Sequence, residues 1–337
     1  MKIAVVGSGI SGLSAAWQLS RDGHEVALYE AGSYFGGHTN TVDVEIDGKR
    51  FGVDTGFLVF NHRTYPNLVR LFEQLQVHTS ASDMSFAVKM PIDATVGART
   101  LEWAGSNLDT VFAQRRNLLS PRFWRMLRDI LRFNRQTTDL ALTAGAMDEI
   151  SLGDFLDANR YSEEFRDWYL LPMAGCIWSC PTEQMLAFPL ATFVRFCHNH
   201  GLIQVSNRPQ WHTVTGGARH YVTKMLELIA QRYLNTAVTA IRRIPLGASH
   251  QVWVESARGV QLYDHVVLAT HSDQALGLLH DISDAERDVL SAVAYQPNQA
   301  ILHTDVSCLP QSRKAWSAWN YESTGPGESR VCVHYLL

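Results

Sequence analysis

The 337-residue sequence lacks the features that mark several classes of protein. Its five cysteines form no C-x-x-C pair and are odd in number, which argues against a disulfide framework or a zinc ribbon. No run of about 18 apolar residues occurs, and the N-terminal MKIAVVGSG has no signal-peptide core. A net charge of −4 gives no basic field for nucleic acid. We therefore expect a soluble, cytoplasmic protein that binds neither a metal nor nucleic acid.

What the sequence does contain is typical of a globular α/β protein. Hydrophobic residues make up 46% of the chain and charged residues 18%, and a chain of this length predicts two structural units. Residues 3–6 form a short apolar run that ends at a glycine, residues 13–21 read as a helix, and residues 25–30 as a second strand. Together they predict a βαβ unit. Residues 42–60 predict antiparallel strands around a tight Asp-Gly turn.

A glycine motif lies directly between the first predicted strand and the helix. Gly7, Gly9 and Gly12 form the pattern G-x-G-x-x-G, in the context that a dinucleotide-binding site requires. The first glycine permits a tight turn, the second lets the backbone approach a pyrophosphate, and the third lets the helix pack against the strand. We expect the pyrophosphate to bind the free N–H groups at the helix start, around Ile10 and Ser11.

A carboxylate follows at the end of the second strand. Glu30 lies 18 residues after Gly12, close to the expected spacing for an acid that hydrogen-bonds a ribose diol. An acid here disfavours a 2′-phosphate, so NADP is not the expected ligand. The predicted site also includes the next residue, Ala31. Gly36 and Gly37 then bring another stretch of backbone close to the ligand, which a dehydrogenase that binds only NAD does not need.

The segment EAGSYFGGHTNT, residues 30–41, resembles the flavoprotein superfamily of monoamine and polyamine oxidases, protoporphyrinogen oxidase and carotenoid-type desaturases. In that superfamily a Gly-Gly-Arg-like turn lies along the diphosphate and ribityl chain of FAD. The resemblance places Gly36, Gly37 and His38 in this turn, so a histidine replaces the arginine and carries less charge at pH 7. It implies that the cofactor is FAD.

Further segments match the same superfamily. The resemblance of FGVDTG, residues 51–56, implies that Gly56 and Phe57 contact the flavin. Val238 stands where the superfamily holds the adenine ring with backbone groups, although any buried parallel strand also contains valine. The strand VVLAT ends close to the cofactor in these proteins, which adds Thr270 to the predicted site.

The fold that the resemblance implies is α/β: a Rossmann-like FAD-binding domain with a parallel sheet, and a mainly helical inserted substrate domain. Three later segments, 237–242, 250–256 and 264–270, are expected to resume the sheet that begins at residue 3. The predicted domains are residues 1–75 (first part of the FAD-binding domain), 76–206 (substrate domain), 207–275 (second part of the FAD-binding domain) and 276–337 (return to the substrate domain).

The chain departs from the superfamily at two places. Members usually end with a Gly-Asp or Gly-Glu turn and a long helix, whereas Gly327 and Glu328 lie in a turn-rich stretch before the strand-like end SRVCVHYLL. We therefore expect a truncated relative that lacks the C-terminal FAD-binding segment. Amine oxidases also often carry a lysine near the flavin, but residues 295–305 contain none. His303 and Asp305 are polar alternatives there, and a solvated strand edge explains them equally well.

The predicted insert is rich in arginine and aromatic residues. Wound as a helix, residues 121–135 place five arginines on one arc and the apolar residues, including Trp124 and Leu131, on the opposite half. This pattern is typical of an ordinary domain helix with a solvated basic face. The alternatives are peripheral contact with an anionic membrane and the entrance to an apolar tunnel. Residues 170–189 are apolar and aromatic, as the wall of a substrate pocket would be.

These observations favour a FAD-dependent oxidoreductase that accepts hydride from a C–H bond of a small, hydrophobic substrate, in the manner of a desaturase or an amine oxidase. The alternatives are a non-redox flavoprotein such as a mutase, a truncated remnant that binds FAD weakly, and a dehydrogenase that binds only NAD. No catalytic residue is assigned, because such chemistry often needs no acid or base. The sequence does not identify the substrate, the electron acceptor or the oligomeric state.

Overall fold

A computed structural model describes residues 1–92, 99–142, 150–178, 182–204, 208–246, 249–295, 297–323 and 332–337. Two units are distinguished by their internal contacts. The first comprises Met1–Val59, Asn67–Ser80 and Thr213–Leu302, and the second comprises Phe60–Pro66, Ala81–His212 and His303–Leu337. The four domains predicted above are functional divisions of the chain, and their bounds remain predictions.

The strands follow one another along the chain as β1 (Lys2–Val6), β2 (Glu25–Tyr29), β3 (Thr41–Ile46), β4 (Lys49–Asp54), β5 (Phe60–Asn61), β6 (Thr79–Ser82), β7 (Phe86–Pro91), β8 (Thr100–Ala104), β9 (Trp211–Val214), β10 (Gln231–Tyr233), β11 (Val238–Leu246), β12 (Ser249–Ser256), β13 (Gly259–Tyr263), β14 (His265–Leu268), β15 (Trp319–Glu322) and β16 (Cys332–Tyr335).

The helices are α1 (Ile10–Arg21), α2 (Pro66–Leu75), α3 (Leu108–Val111), α4 (Pro121–Leu142), α5 (Leu152–Ala158), α6 (Glu163–Phe165), α7 (Leu171–Trp178), α8 (Thr182–Leu186), α9 (Leu190–Asn199), α10 (Arg219–Leu228), α11 (Ser272–Leu278) and α12 (Asp284–Ser291). A π-helical turn, Arg166–Leu170, joins α6 to α7. Short 3₁₀ turns occupy Arg115–Leu119, Val306–Cys308 and Arg313–Ala315.

A parallel sheet with the strand order β10-β2-β1-β14 lies in the first unit. In the middle of β1, Val5 aligns with Leu28 of β2 on one side and with Val267 of β14 on the other. Residues 3–6 are all buried, as expected for a parallel strand that is covered on both faces. Because α1 connects β1 to β2, the predicted βαβ unit and the α/β fold class are confirmed.

The predicted continuation of this sheet is wrong for two of its three strands. Residues 264–270 supply β14, but β11 and β12 form a separate antiparallel sheet with β13. Along β11, buried residues such as Val238 and Ala240 alternate with exposed ones such as Thr239. Such alternation is typical of an antiparallel sheet with one solvated face. The parallel sheet is instead extended by β10, which pairs with β2. This strand has only three residues, too few to show a hydrophobic pattern in the sequence.

The predicted hairpin lies between β3 and β4. These strands pair antiparallel from Thr41 and Asp54 to Ile46 and Lys49. Asp47 and Gly48, which join the strands, have φ angles of 51° and 73°. Positive φ at both central residues is what a tight two-residue hairpin turn requires.

The second unit contains the sheet β16-β15-β7-β8 and the helices α3 to α9. Its core is strongly aromatic. Trp103 of β8 is 2% exposed, and Phe123, Phe133 and Phe193 are at most 1% exposed. Residues 170–176, predicted as a pocket wall, are buried within this core, whereas residues 179–181 lie outside the described part of the chain.

The basic face of α4 is partly engaged by acidic groups of the same unit. Arg122 Nε donates to Oε1 of the buried Glu164 at 2.7 Å, and Arg125 Nη1 lies 3.6 Å from Glu164 Oε2. Arg132 Nη2 lies 3.4 Å from Oδ1 of the buried Asp129. Three of the five arginines on this face therefore form ion pairs with acidic residues of the same unit.

The apolar half of α4 is not wholly buried, which corrects the helical-wheel prediction. Trp124 is 50% exposed and Leu131 is 59% exposed, beside the exposed Arg128 and Arg135. They lie at the edge of the apolar arc, whereas the core side includes the buried polar Asp129. None of the helices that the structure describes is long and apolar enough to cross a membrane. Residues 327 and 328 lie outside the described residues.

Candidate functional site

The first glycine bend is closed tightly against the neighbouring strands. Gly7 has a φ of +98°, and its N–H donates to the carbonyl oxygen of Tyr29 at 2.9 Å. A Cβ at Gly7 would lie 2.5 Å from the carbonyl oxygen of Ala269, and a Cβ at Gly12 only 1.9 Å from that of Gly7. Glycine is therefore required at both positions by the fold itself, whether or not a ligand binds.

Gly9 differs from these two glycines because it faces open space. It is the N-cap of α1, with an ordinary φ of −60°, and a Cβ built on it would meet no atom within 4 Å. No side chain caps this helix start within the described part of the chain, and the next residues, Ile10 and Ser11, are exposed. The first N–H groups of an α-helix have no partner within the helix. The start of α1 thus offers backbone donors and room to an anion.

Glu30 is held between the glycine segments by its neighbours. Its Oε2 accepts the backbone N–H of Ser8 at 3.0 Å and also the Ser8 hydroxyl, while Oε1 accepts the N–H of Gly32 at 2.7 Å. The residue follows β2, and its own carbonyl oxygen accepts the N–H of Thr236 at 2.7 Å. A carboxylate has about four acceptor positions. These three donors fix its orientation and leave capacity for a ligand hydroxyl.

The second glycine bend packs against the first. The N–H of Gly36 donates to the carbonyl oxygen of Ser8 at 3.0 Å, and a Cβ at Gly36 would lie 2.4 Å from that of Thr39. Gly37 has a φ of +57°, and a Cβ there would lie 3.1 Å from the Cα of Gly9. The backbones of the two bends are therefore in contact, although Gly9 and Gly36 are 27 residues apart in sequence.

A third stretch is joined to the second bend at His38. The His38 carbonyl oxygen accepts the N–H of Phe57 at 3.2 Å, and a Cβ at Gly56 would lie 2.1 Å from the same oxygen. The side chain of His38 is exposed. The close approach of the His38 backbone thus requires a glycine at position 56, and the next residue, Phe57, is held by the same carbonyl oxygen.

Asp54, which the sequence analysis did not single out, anchors this stretch to α10. Its carboxylate accepts the N–H of Ala218 at 2.9 Å and the hydroxyl of Thr41 at 2.5 Å. The buried hydroxyl of Tyr221 on α10 donates to Thr39 Oγ1 at 3.2 Å. Burial raises the pKa of Tyr221 to about 12, so this donor keeps its proton at pH 7. The FGVDTG segment is therefore fixed in place by its aspartate as well as by its glycines.

The remaining predicted residues fall into two groups. Thr270 follows β14 next to the first bend, since its Cγ2 lies 3.4 Å from the position of a Cβ on Gly7. Ala31 is exposed beside Glu30. Val238 is buried at the start of β11, in the cluster that contains Ala4 and Tyr29. It lies two residues after Thr236, whose N–H donates to the carbonyl oxygen of Glu30 at 2.7 Å. Contacts thus connect the other predicted residues directly, and Val238 follows closely after Thr236, which binds Glu30.

A stacked histidine pair follows the third stretch along the chain, within the second unit. The rings of His62 and His212 lie 4.5 Å apart between centroids, with 22° between their planes. Burial and the neighbouring His62 lower the pKa of His212. A neutral imidazole at pH 7 can accept a proton.

The chemistry of the first-unit site suits a dinucleotide. Phosphates need backbone N–H donors at a helix start, and a ribose diol needs a fixed carboxylate. The start of α1 supplies the first, and Glu30 supplies the second. Gly9 and Gly37 keep side chains away from the place where both would bind.

Comparison with known proteins gives a consistent result. The sequence model described as flavin containing amine oxidoreductase matches residues 10–334. AofH of Mycobacterium tuberculosis, whose name assigns it to the flavin-containing monoamine oxidases, is 26% identical over 262 residues, which are 73% of this chain and 52% of AofH. Zeta-carotene desaturase of Synechocystis is 39% identical over 75 residues, 22% of this chain and 14% of that protein.

Among solved structures, a putrescine oxidase variant superposes with a TM-score of 0.64 at 20% sequence identity, over 86% of this chain and 62% of the oxidase. At this identity the match shows a shared fold. The chain spans about half the length of AofH. Because the family model matches nearly the whole chain, this chain belongs to the flavin-containing amine oxidoreductases.

Proposed function

We propose that this protein is a FAD-dependent oxidoreductase that accepts hydride from a C–H bond of a small, hydrophobic substrate. The observation that carries the proposal is the meeting of the two glycine bends at Gly9 and Gly37, with the Glu30 carboxylate fixed beside them by Ser8. Membership of a flavin-containing family supports the same cofactor.

In this proposal the backbone of the first unit binds the phosphates. The N–H groups at the start of α1, at Ile10 and Ser11, bind the pyrophosphate, because they are exposed and uncapped. Glu30, with Ala31 beside it, binds the ribose of the adenosine half. Val238 at the start of β11 supports the adenine ring.

The second and third stretches orient the flavin half. Gly36, Gly37 and His38 lie along the diphosphate and ribityl chain, where a larger residue at position 37 would strike Gly9. Gly56 and Phe57, whose segment contacts the His38 carbonyl oxygen, contact the ring system, and Thr270 beside Gly7 lies close to the cofactor. When bound, FAD supplies the ring that accepts the hydride.

The preference for a hydrophobic substrate rests on the second unit and on one relative. The interior of that unit is apolar and aromatic, and the match to zeta-carotene desaturase concerns a protein whose name describes a desaturation. The longer match to AofH favours an amine instead. We propose the hydrophobic class because the described core of the second unit carries few buried charges, among them Glu102, Asp129 and Glu164.

Anaerobic reduction of the reconstituted protein tests both statements. The chain is loaded with FAD, freed from excess cofactor, and mixed under argon with an unsaturated fatty acid, a carotenoid precursor or putrescine. We expect the flavin absorbance to bleach with one of the apolar compounds. Bleaching by putrescine alone would overturn the substrate class. Conversion of a substrate without consumption of any electron acceptor would overturn the oxidoreductase in favour of a mutase-like flavoprotein.

Peripheral membrane contact through residues 121–135 remains a separate proposal. The exposed Trp124 and Leu131 lie beside the exposed Arg128 and Arg135, which is the combination that anionic lipid surfaces attract. Sedimentation with anionic and with neutral liposomes tests it. Equal recovery in the supernatant in both cases would refute it.

A further inference from the structure

Nitrogen and sulfur side chains converge near the end of the second unit. His303, Cys308 and His334 each offer one ligand atom, and the three atoms all lie within 4.8 Å of one another. A second group, Glu322, Cys332 and His334, meets the same distance limit and shares His334 with the first. Neither group belongs to the site formed by the glycine bends at Gly9 and Gly37, and no metal is expected here from the sequence.

The strands β15 and β16 explain the second group. They pair antiparallel, with Glu322 opposite Cys332 and Asn320 opposite His334. Cys332 and His334 are two residues apart on one strand and so lie on the same face. His334 Nε2 is 3.5 Å from Cys332 Sγ and 2.9 Å from Glu322 Oε2.

A short turn explains the first group. The Asp305 carboxylate accepts the N–H of Ser307 at 2.9 Å, which bends the chain between His303 and Cys308. Lys89 of β7 donates to the carbonyl oxygen of Ser307 at 3.1 Å and pairs with Glu322 Oε1 at 2.8 Å. The lysine therefore fixes the turn and also neutralises the glutamate.

We propose that His303, Cys308, His334 and Cys332 form a binding site for a zinc-type divalent cation. Two thiolates and two imidazoles are a donor set that zinc prefers in closed, tetrahedral structural sites. Zn–S bonds of about 2.3 Å and Zn–N bonds of about 2.0 Å put neighbouring ligand atoms roughly 3.5 Å apart. The Sγ–Nε2 distance of 3.5 Å between Cys332 and His334 already matches this spacing. The atoms of the first group need to approach by about 1 Å.

Glu322 lies at the edge of this site. Its Oε1 is paired with Lys89, and its Oε2 contacts His334 Nε2, the nitrogen that also faces Cys332 Sγ. Because an outer carboxylate holds the nitrogen that does not bind the metal, His334 exchanges its contact with Glu322 for the cation when Nε2 becomes a ligand. On binding, the two thiols release their protons to solvent, and two thiolates balance the charge of the dication. The bound cation would tie the segment that contains His303 and Cys308 to β16.

Cobalt titration of the tag-free 337-residue chain, kept reduced and freed of metal by a chelator, tests the site. We expect one Co²⁺ per chain, thiolate-to-cobalt charge-transfer absorption, and displacement by Zn²⁺. Cys308→Ser and Cys332→Ser should each reduce this absorption and weaken zinc binding by at least about a hundredfold, the upper end for loss of an outer partner. The buried thiols Cys176 and Cys197 stay in every variant as internal controls.

The variant His303→Ala is included because His303 is exposed, so its loss should not prevent folding. The matched control is His250→Ala, which removes another exposed histidine, on β12. Zinc should slow amide exchange at residues 332–335 in the wild type and in His250→Ala but not in His303→Ala. Absence of the charge-transfer band, or equal zinc affinity in wild type, His303→Ala and Cys332→Ser, would overturn the site. FAD uptake, measured on the same samples, reports separately on the proposed function.

Discussion

The glycine site of the first unit and the histidine–cysteine cluster of the second are built on opposite principles. In the first, backbone atoms approach one another, and most of the residues that permit the approach lie between positions 7 and 57. In the second, side chains from a turn and an edge strand converge over residues 303–334, with no short motif. A site built from backbone atoms can be predicted from the spacing of its glycines in the sequence. A site built from side chains depends on strand register and on turns, which only the structure shows.

The comparison also separates glycines that the fold needs from one that it does not. Gly7, Gly12, Gly36 and Gly56 would each bring a Cβ within 2.5 Å of a backbone oxygen. Gly9 would bring its Cβ into open space. Only substitutions at Gly9 can therefore distinguish a requirement of the ligand from a requirement of the fold.

The largest effect is expected for Gly12→Ala. Its Cβ would lie 1.9 Å from the carbonyl oxygen of Gly7, and neither backbone can move without disturbing β1 or α1. We expect a loss of at least about 3 kcal/mol in the free energy of unfolding, measured by urea denaturation. Gly277→Ala on α11 is the control, since its Cβ meets no atom and alanine favours a helix by up to about 1 kcal/mol. Equal stability of the two variants would contradict the described bend.

A middle-sized effect is expected for Glu164→Gln in the second unit. The carboxylate is 6% exposed and pairs with Arg122 and Arg125, whose side chains are about half exposed. Because solvent screens the arginines, we expect a loss of about 1–2 kcal/mol in unfolding free energy, less than for a fully buried pair. The neighbouring Glu163→Gln, at an exposed position, should change it by less than about 0.5 kcal/mol. Indistinguishable urea midpoints would show that the pair has no structural role.

The smallest effect concerns the pH dependence of α12. Hydrogen bonds from the backbone and side chain of Ser283, together with Arg243, lower the pKa of Glu286 from 4.5 to about 2. Because the folded pKa is below the unfolded value, this stabilisation is present above pH 4.5 and is lost as the pH falls towards 2. We expect the protection of the amides in Asp284–Ser291, measured relative to their intrinsic exchange rates, to fall over that interval. Glu286→Gln should abolish this pH dependence, and a wild-type helix with pH-independent protection would refute the assignment.

The sequence predicts the local parts of the first unit well and its longer-range parts less well. The strand β1, the helix α1 and the hairpin turn at Asp47 and Gly48 follow from patterns within a few residues. The three-residue β10 has no such pattern, so the sheet was predicted with the wrong partners. Strand pairing joins segments that are distant in sequence, and no local preference encodes it.

The candidate site shows the same division. The glycines and Glu30 are evident from their spacing, but Ser8, which donates twice to Glu30, and Asp54, which accepts the N–H of Ala218, are not. A polar residue inside the glycine motif and an aspartate before a Thr-Gly turn were the available signals. On α4, the helical wheel put Trp124 and Leu131 on the buried half, because periodicity gives the apolar arc but not its covered width.

FAD titration of Gly9→Ser examines whether the open helix start at Gly9 binds the cofactor phosphates. Serine is at least as good an N-cap as glycine and should raise stability by a few tenths of a kcal/mol, while its side chain occupies the space and competes for the helix N–H groups. We predict an unchanged or higher urea midpoint with FAD affinity lowered at least about tenfold, equivalent to about 1.4 kcal/mol, and no loss in Gly277→Ser. A folded Gly9→Ser protein that binds FAD as tightly as the wild type would show that the phosphates do not bind at this helix start.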